Sequence, residues 1–144
     1  MKNITIMIVA MACLASVVTA QDANLMNYVQ IYAPGTSLAL TSSAVDVSDY
    51  KGNATFAAQF GPYTQAATGT VTFVHSTASD GTYTTITNLA GTAMVITQTG
   101  PATNDIQTLD CDLARLHVYV KAIVTQAGDT NAISAFMVAP MKSE

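Results

Sequence analysis

Residues 71–86 read VTFVHSTASDGTYTTI. Val71 and Phe73 fall on one face of an extended segment, because side chains alternate with period two along a strand. Ser79-Asp80-Gly81 then reverses the chain: Asp bonds to backbone two residues on, and Gly accepts positive φ. Residues 83–87 supply the return strand. The hairpin is rich in Thr and poor in charge, nothing in it is arranged for catalysis, and it predicts an all-β protein.

The flanking chain keeps the same period. Turn residues interrupt it every 8–12 positions or so, the spacing of an antiparallel sandwich or barrel. Extended segments are expected at 28–32, ended by Pro34-Gly35, at 44–47, and at 53–60, ended by Gly61-Pro62. Residues 65–69 read as a loop of small residues. Further strands are expected at 92–97, closed by Gly100-Pro101, and at 105–109, the latter at a sheet edge.

Residues 115–124 show the cleanest alternation, with Leu116, Val118, Val120 and Ala122 on one face and His117, Tyr119, Lys121 and Ile123 on the other. Gly128-Asp129 turns the chain into a last strand at 132–138, so 115–138 reads as a hairpin. Residues 109–116 have room for one helical turn. The expectation is an antiparallel two-sheet sandwich, jelly-roll or Ig-like, of about eight to ten strands. Its core is expected to hold Val71, Phe73, Ile86, Val95, Leu116, Val118, Val120, Ile133 and Phe136.

The chain has 144 residues, enough for one domain with a real core. Only 10% of them are charged, against about 25% in an average soluble domain. Such a surface suits an exported protein or one packed in an assembly. Net charge is −4, and the basic residues Lys2, Lys51, Arg115, Lys121 and Lys142 form no run. Phosphate-backbone binding needs several cations on one face, so nucleic acid is not an expected partner.

Residues 1–20, MKNITIMIVAMACLASVVTA, place Lys2 before an apolar run that ends in Val18-Thr19-Ala20, small residues at the −3 and −1 positions of a cleavage site. This is the pattern of a secretory signal peptide. The alternative is a retained hydrophobic arm, since the run is near the minimum of about 17 residues for a membrane span. A membrane is a partner only if the segment is kept. The domain organisation expected is therefore 1–20 as leader or arm and 21–144 as a single β-sandwich.

Candidate chemistry is thin. Cys13 lies in the leader; once that is removed, Cys111 has no internal disulfide partner, and if it is kept a Cys13–Cys111 bridge is open. Cys111 between Asp110 and Asp112 should have a raised thiol pKa, because like charge disfavours the thiolate. It reads as a turn residue. His75 and His117 sit in expected strands and lack a third ligand for a metal. Asp105, Asp110 and Asp112 lack the Gly and closing Glu of a calcium loop. Asp46 and Asp49 look like turn chemistry. Single glycines at 91, 100 and 128 make no nucleotide loop. Asn3 and Asn53 open formal glycosylation sequons. The six tyrosines suit sheet faces and interfaces alike. No catalytic, cofactor-binding or metal residue is assigned, and no cofactor is expected.

Laid out in order, the segments resemble a family of small β-sandwich structural proteins of tailed bacteriophages. The resemblance runs over 28–138. It is carried by YVQIYAP at 28–34, by VDVSDYKG at 45–52, by the Ser-Asp-Gly turn within 76–83, and by 115–124 with Gly128 and the strand to Val138. Two departures are the leader, which family members lack, and a basic pair reduced to Ala114-Arg115. The resemblance implies a non-enzymatic virion subunit: a capsid decoration, head fibre or tail-associated protein. Its partners would be other capsid or tail subunits and further copies of itself, and its location the virion. The leader taken at face value implies instead an exported bacterial surface or periplasmic β-sandwich binding module. A small secreted enzyme is a third reading, weakened by the poor acid–base inventory.

Overall fold

A computed structural model describes residues 26–63, 67–88 and 90–142. Residues 1–20, expected to be a leader or a hydrophobic arm, lie outside them. The described residues form ten strands and a single turn of 3-10 helix. In chain order the strands are β1 Met26–Gly35, β2 Ala39–Thr41, β3 Val45–Asp46, β4 Asn53–Phe60 and β5 Thr68–Ser76. They continue as β6 Thr84–Thr85, β7 Val95–Thr99, β8 Asp105–Asp112, β9 Tyr119–Ala127 and β10 Ile133–Pro140. Among the described residues no helix is long and apolar enough to cross a membrane.

All pairing is antiparallel, in two sheets. Sheet A has the order β1-β10-β4-β8. Sheet B is built on β9 and β5; β2 and β3 share the free side of β9, and β6 and β7 share the free side of β5. Most connections cross from one sheet to the other, which makes the fold a jelly roll rather than an Ig-like sandwich.

The core lies between the sheets. From sheet A it takes Ala54, Phe56, Ala58 and Phe60 of β4 and Ile133, Ala135, Met137 and Ala139 of β10, all at most 1% exposed. From sheet B it takes Val71 and Phe73 of β5 and Val120, Ala122 and Val124 of β9, all fully buried. Phe56 and Phe73 meet across the layer with ring centroids 5.0 Å apart and planes tilted by 59°. Such a pair adds about 0.5–1.5 kcal/mol beyond the burial of its area.

The expected hairpin at 71–86 is present. Val74 pairs Thr85, His75 pairs Thr84, and the Gly81 N–H closes the turn on the Ala78 carbonyl at 3.1 Å. Ile86 leaves the short return strand for the core. The helical turn expected within 109–116 is the 3-10 turn Leu113–Arg115, capped by the Asp112 carboxylate accepting from the Ala114 N–H. The edge strand expected at 105–109 extends to Asp112, and β2 had no counterpart in the sequence reading. Thr68 and Gly69, read as loop, begin β5.

Several expectations are corrected. Residues 115–138 are not a hairpin: β9 pairs with β5, β2 and β3, whereas β10 pairs with β1 and β4. The link at 128–132 crosses the sandwich, so the apolar faces of these strands meet through the core. Phe136 is on the outer face of β10, because a period of two cannot send both Ile133 and Phe136 inward; Met137 takes the core position. Val95 points outward, 39% exposed, while its neighbours Met94 and Ile96 fill the interior. Val118 is 40% exposed because it precedes β9, whose pairing with β5 begins only at Tyr119 opposite Ser76. Leu116 packs against the core from outside any strand.

Candidate functional site

The residues considered for chemistry fall into separate places. His75 and His117 do come together, with rings stacked at 4.5 Å between centroids. The His117 backbone N–H donates to His75 Nδ1 at 3.1 Å, which leaves the proton of neutral His75 on Nε2. Burial, and then the charge of His117, push the His75 pKa down. Among the described residues no group of three or more His, Cys, Asp or Glu is placed to hold a metal ion.

Asp110 and Asp112 project from β8 and have structural bonds: Asp110 accepts from the Thr55 hydroxyl at 2.7 Å, and Asp112 caps the 3-10 turn. Cys111 is not a turn residue. It lies within β8, points into the core and is 4% exposed. Its thiol pKa is raised first by burial and second by Asp112, with Arg115 opposing, so desolvation outweighs the like-charge effect expected of its neighbours. Asp46 accepts from the Ser48 N–H at 2.8 Å, and this bond holds its pKa below the usual value. Asn53 is exposed at the start of β4; Asn3 and Cys13 lie outside the described residues.

The tyrosines divide by role. Tyr32 and Tyr63 are buried, and the Tyr63 hydroxyl donates to Gln126 Oε1 at 3.0 Å. Lys121 Nζ lies 4.1 Å from the Tyr83 ring centroid, over its face. Tyr28 is 60% exposed and packs on Phe136 with centroids 5.0 Å apart.

That last pair marks the feature best suited to recognition. Among the described residues, sheet A has two long edges, β1 and β8. Long exposed edges invite pairing with other chains, and proteins blunt them with charge or short strands. β8 carries Asp105, Asp110 and Asp112; β1, MNYVQIYAPG, carries no charge at all. Sheet B is bordered by strands of two to five residues.

Alternation on β1 and β10 sends Met26, Tyr28, Phe136 and Val138 outward together, and Met26 is 51% exposed. Ala57, the register partner of Phe136, faces the same way yet is only 1% exposed. Shifts of register after Gln30 leave 26–30 as the regular part of the edge. Sequence reasoning recognised the aromatic segment at 28–34 but missed this patch. Which strand becomes an edge, and what lies beside Phe136, are not local properties.

No protein-family model and no curated protein matches the chain. Solved structures similar to it include the SPBc2 prophage-derived protein YomS, at 13% identity and a TM-score of 0.49, covering 80% of this chain and 94% of that one. They include a chain from the disulfide-linked pili of Bacillus endospore appendages, at 12% identity, TM-score 0.42, covering 83% and 88%. A third is from infectious bursal disease virus, Gt strain, at 14% identity, TM-score 0.37, covering 81% of this chain and 30% of that one. Phage- and virus-derived β-proteins are thus among its structural neighbours. These likenesses are remote and carry no assignment of role.

Proposed function

We propose that the chain is a non-enzymatic structural subunit of a phage virion, a capsid decoration, head-fibre or tail-associated protein. It acts by packing against other virion subunits and further copies of itself through β1 and the adjoining outer face of sheet A. The observation that carries the packing role is the long, charge-free edge strand β1 with exposed Met26 and Tyr28 beside Phe136. Backbone groups along such an edge accept another strand, and the aromatic pair offers apolar area with a polar tip. The virion location is supported by the ordered resemblance over 28–138 and, by analogy of fold alone, by jelly-roll topology.

A second reading, an exported surface or periplasmic binding module, is favoured by the leader ending in Val18-Thr19-Ala20. Mass spectrometry separates the two. The chain is expected among the proteins of purified virions from its source, beginning near residue 1 or 21. Its absence from particles, with a processed form in the periplasm or on the cell surface, overturns the virion reading.

A further inference from the structure

The layer between the sheets is open along one flank. Leu40 of β2 stands opposite Val124 of β9. Partners in an antiparallel pair share a face of the sheet. Val124 is fully buried between the sheets, yet Leu40 is 47% exposed. Leu40 lines an open groove of about 570 Å³ that separates β1 from β2 and β3. Buried Ile31 and Tyr32 belong to its β1 wall, Val45 continues the wall opposite, and none of the residues lining it is charged.

The uncharged β1 edge lies on the same flank. Met26, Tyr28, Leu38 and Leu40, large apolar side chains that are all exposed, gather there. On the opposite edge of sheet A, exposed Ile106 shares β8 with three aspartates, Asp105, Asp110 and Asp112.

Charge decides which edges of two copies can meet. β8 against β8 sets aspartates against aspartates in a chain of net charge −4. β1 against β8 takes carboxylates out of water beside a strand with no cation to pair them. β1 against β1 desolvates no charge at all. A charged partner of another kind finds no counter-charge on β1 or in the groove.

We propose that a second copy of this chain covers the flank, with β1 pairing antiparallel to β1 about a two-fold axis. The inference rests on the packing role given to β1 above and names the partner. Regular pairing of β1 with β10 covers 26–30, and the midpoint of that stretch is Tyr28. The axis therefore passes beside Tyr28, which faces its own copy, while Met26 faces Gln30. An axis perpendicular to the sheet keeps both outer faces on one side, so sheet A continues from one copy into the next. The two grooves then adjoin, and Leu40 of each copy is withdrawn from water. Such an interface is isologous and closes at two copies, which leaves the β8 edges free.

The test is sedimentation of the full chain together with oxidative cross-linking of introduced cysteines. The protein should sediment as a dimer that dissociates on dilution. Tyr28→Cys should link the copies under mild oxidation, because facing residues of an antiparallel pair have Cα atoms about 4.5–5.5 Å apart, within disulfide reach. Ile106→Cys, similarly exposed on β8, should not exceed the parent chain, whose own Cys13 and Cys111 set the background. Met26→Cys mixed with Gln30→Cys should link one to the other, and serves if the Tyr28 variant does not fold. Leu40→Asp should weaken the dimer about tenfold or more by placing a carboxylate where the grooves adjoin. The proposal is overturned by a protein that is monomeric at every concentration, or by a dimer in which the β1 cysteines stay unlinked. A monomer found in purified virions overturns the two-fold pair and leaves the virion reading standing. A cross-linked dimer absent from virions upholds the pair and removes that reading.

Discussion

The imidazole of His117 lies 27° from parallel over that of His75, and the backbone of the upper residue is hydrogen-bonded to the ring of the lower one. Neutral His75 can accept that bond at Nδ1. Protonated His75 cannot, because both of its ring nitrogens are then donors. The entry to β9 is thus tied to β5 by a bond that exists in only one protonation state.

This bond sets a pH dependence. The folded pKa of His75 lies below its unfolded value near 6.5. The unfolded chain therefore binds the proton first, and the contribution of His75 is complete above that value and lost as pH falls through the folded pKa. Thermal unfolding should give a lower Tm at pH 5 than at pH 7.5. His75→Asn keeps an acceptor near Nδ1 without titrating, and should flatten this part of the profile. An unchanged slope in the variant would place the dependence elsewhere.

Phe73 joins the two sheets through Phe56, and both rings are fully buried. Phe73→Ala should cost about 3–5 kcal/mol in a denaturant titration, as expected for removing a large ring from a closed core. Phe73→Leu, which keeps most of the volume, should cost distinctly less.

Gly69 is required by its neighbours. A Cβ there would run into the Tyr63 hydroxyl and come within 3.1 Å of Ile133 Cδ1. Gly69→Ala should destabilise the protein by about 1–3 kcal/mol through overpacking. Tyr63→Phe removes the atom met first, so the double variant should recover part of the loss beyond additivity.

Cys111 should be a slow thiol. Burial raises its pKa and shields it, so the thiolate is both scarce and hard to reach. Peptide mapping after iodoacetamide treatment at pH 8 should find Cys111 largely unmodified in the folded protein and fully modified in denaturant. Rapid labelling of the folded chain would contradict the inward orientation of β8 at this residue.

Tyr28→Lys places a charge on the regular part of the β1 edge, where the native side chain is exposed. Sedimentation should show loss of self-association, with the monomer's stability changed by no more than about 0.5 kcal/mol. An oligomer that survives the substitution would move the packing surface away from β1.

The β character, the hairpin around Asp80-Gly81, the strand at 53–60 and the helical turn after Cys111 were readable from the chain alone. Each depends on alternation or turn chemistry within a few residues, and such signals survive without knowing the neighbours. Partnership between strands was not readable. The strands around Gly128 have apolar alternation suited equally to pairing side by side or to facing one another across a core, and only packing against β5 and β4 selects the second.

The same reason separates the functional features. Aromatic residues at 28–32 were visible in sequence, but the charge-free edge they form exists because β10 pairs with β1 on one side and nothing in the described chain covers the other. Gln98 is an unremarked amide in the sequence. Its carbonyl oxygen lacks a partner among the described residues only because the fold buries it and directs its amide nitrogen to Thr103. Periodicity determined which residues share a face. Tertiary structure decided what each face meets, because burial and hydrogen bonding are settled between segments far apart in the chain.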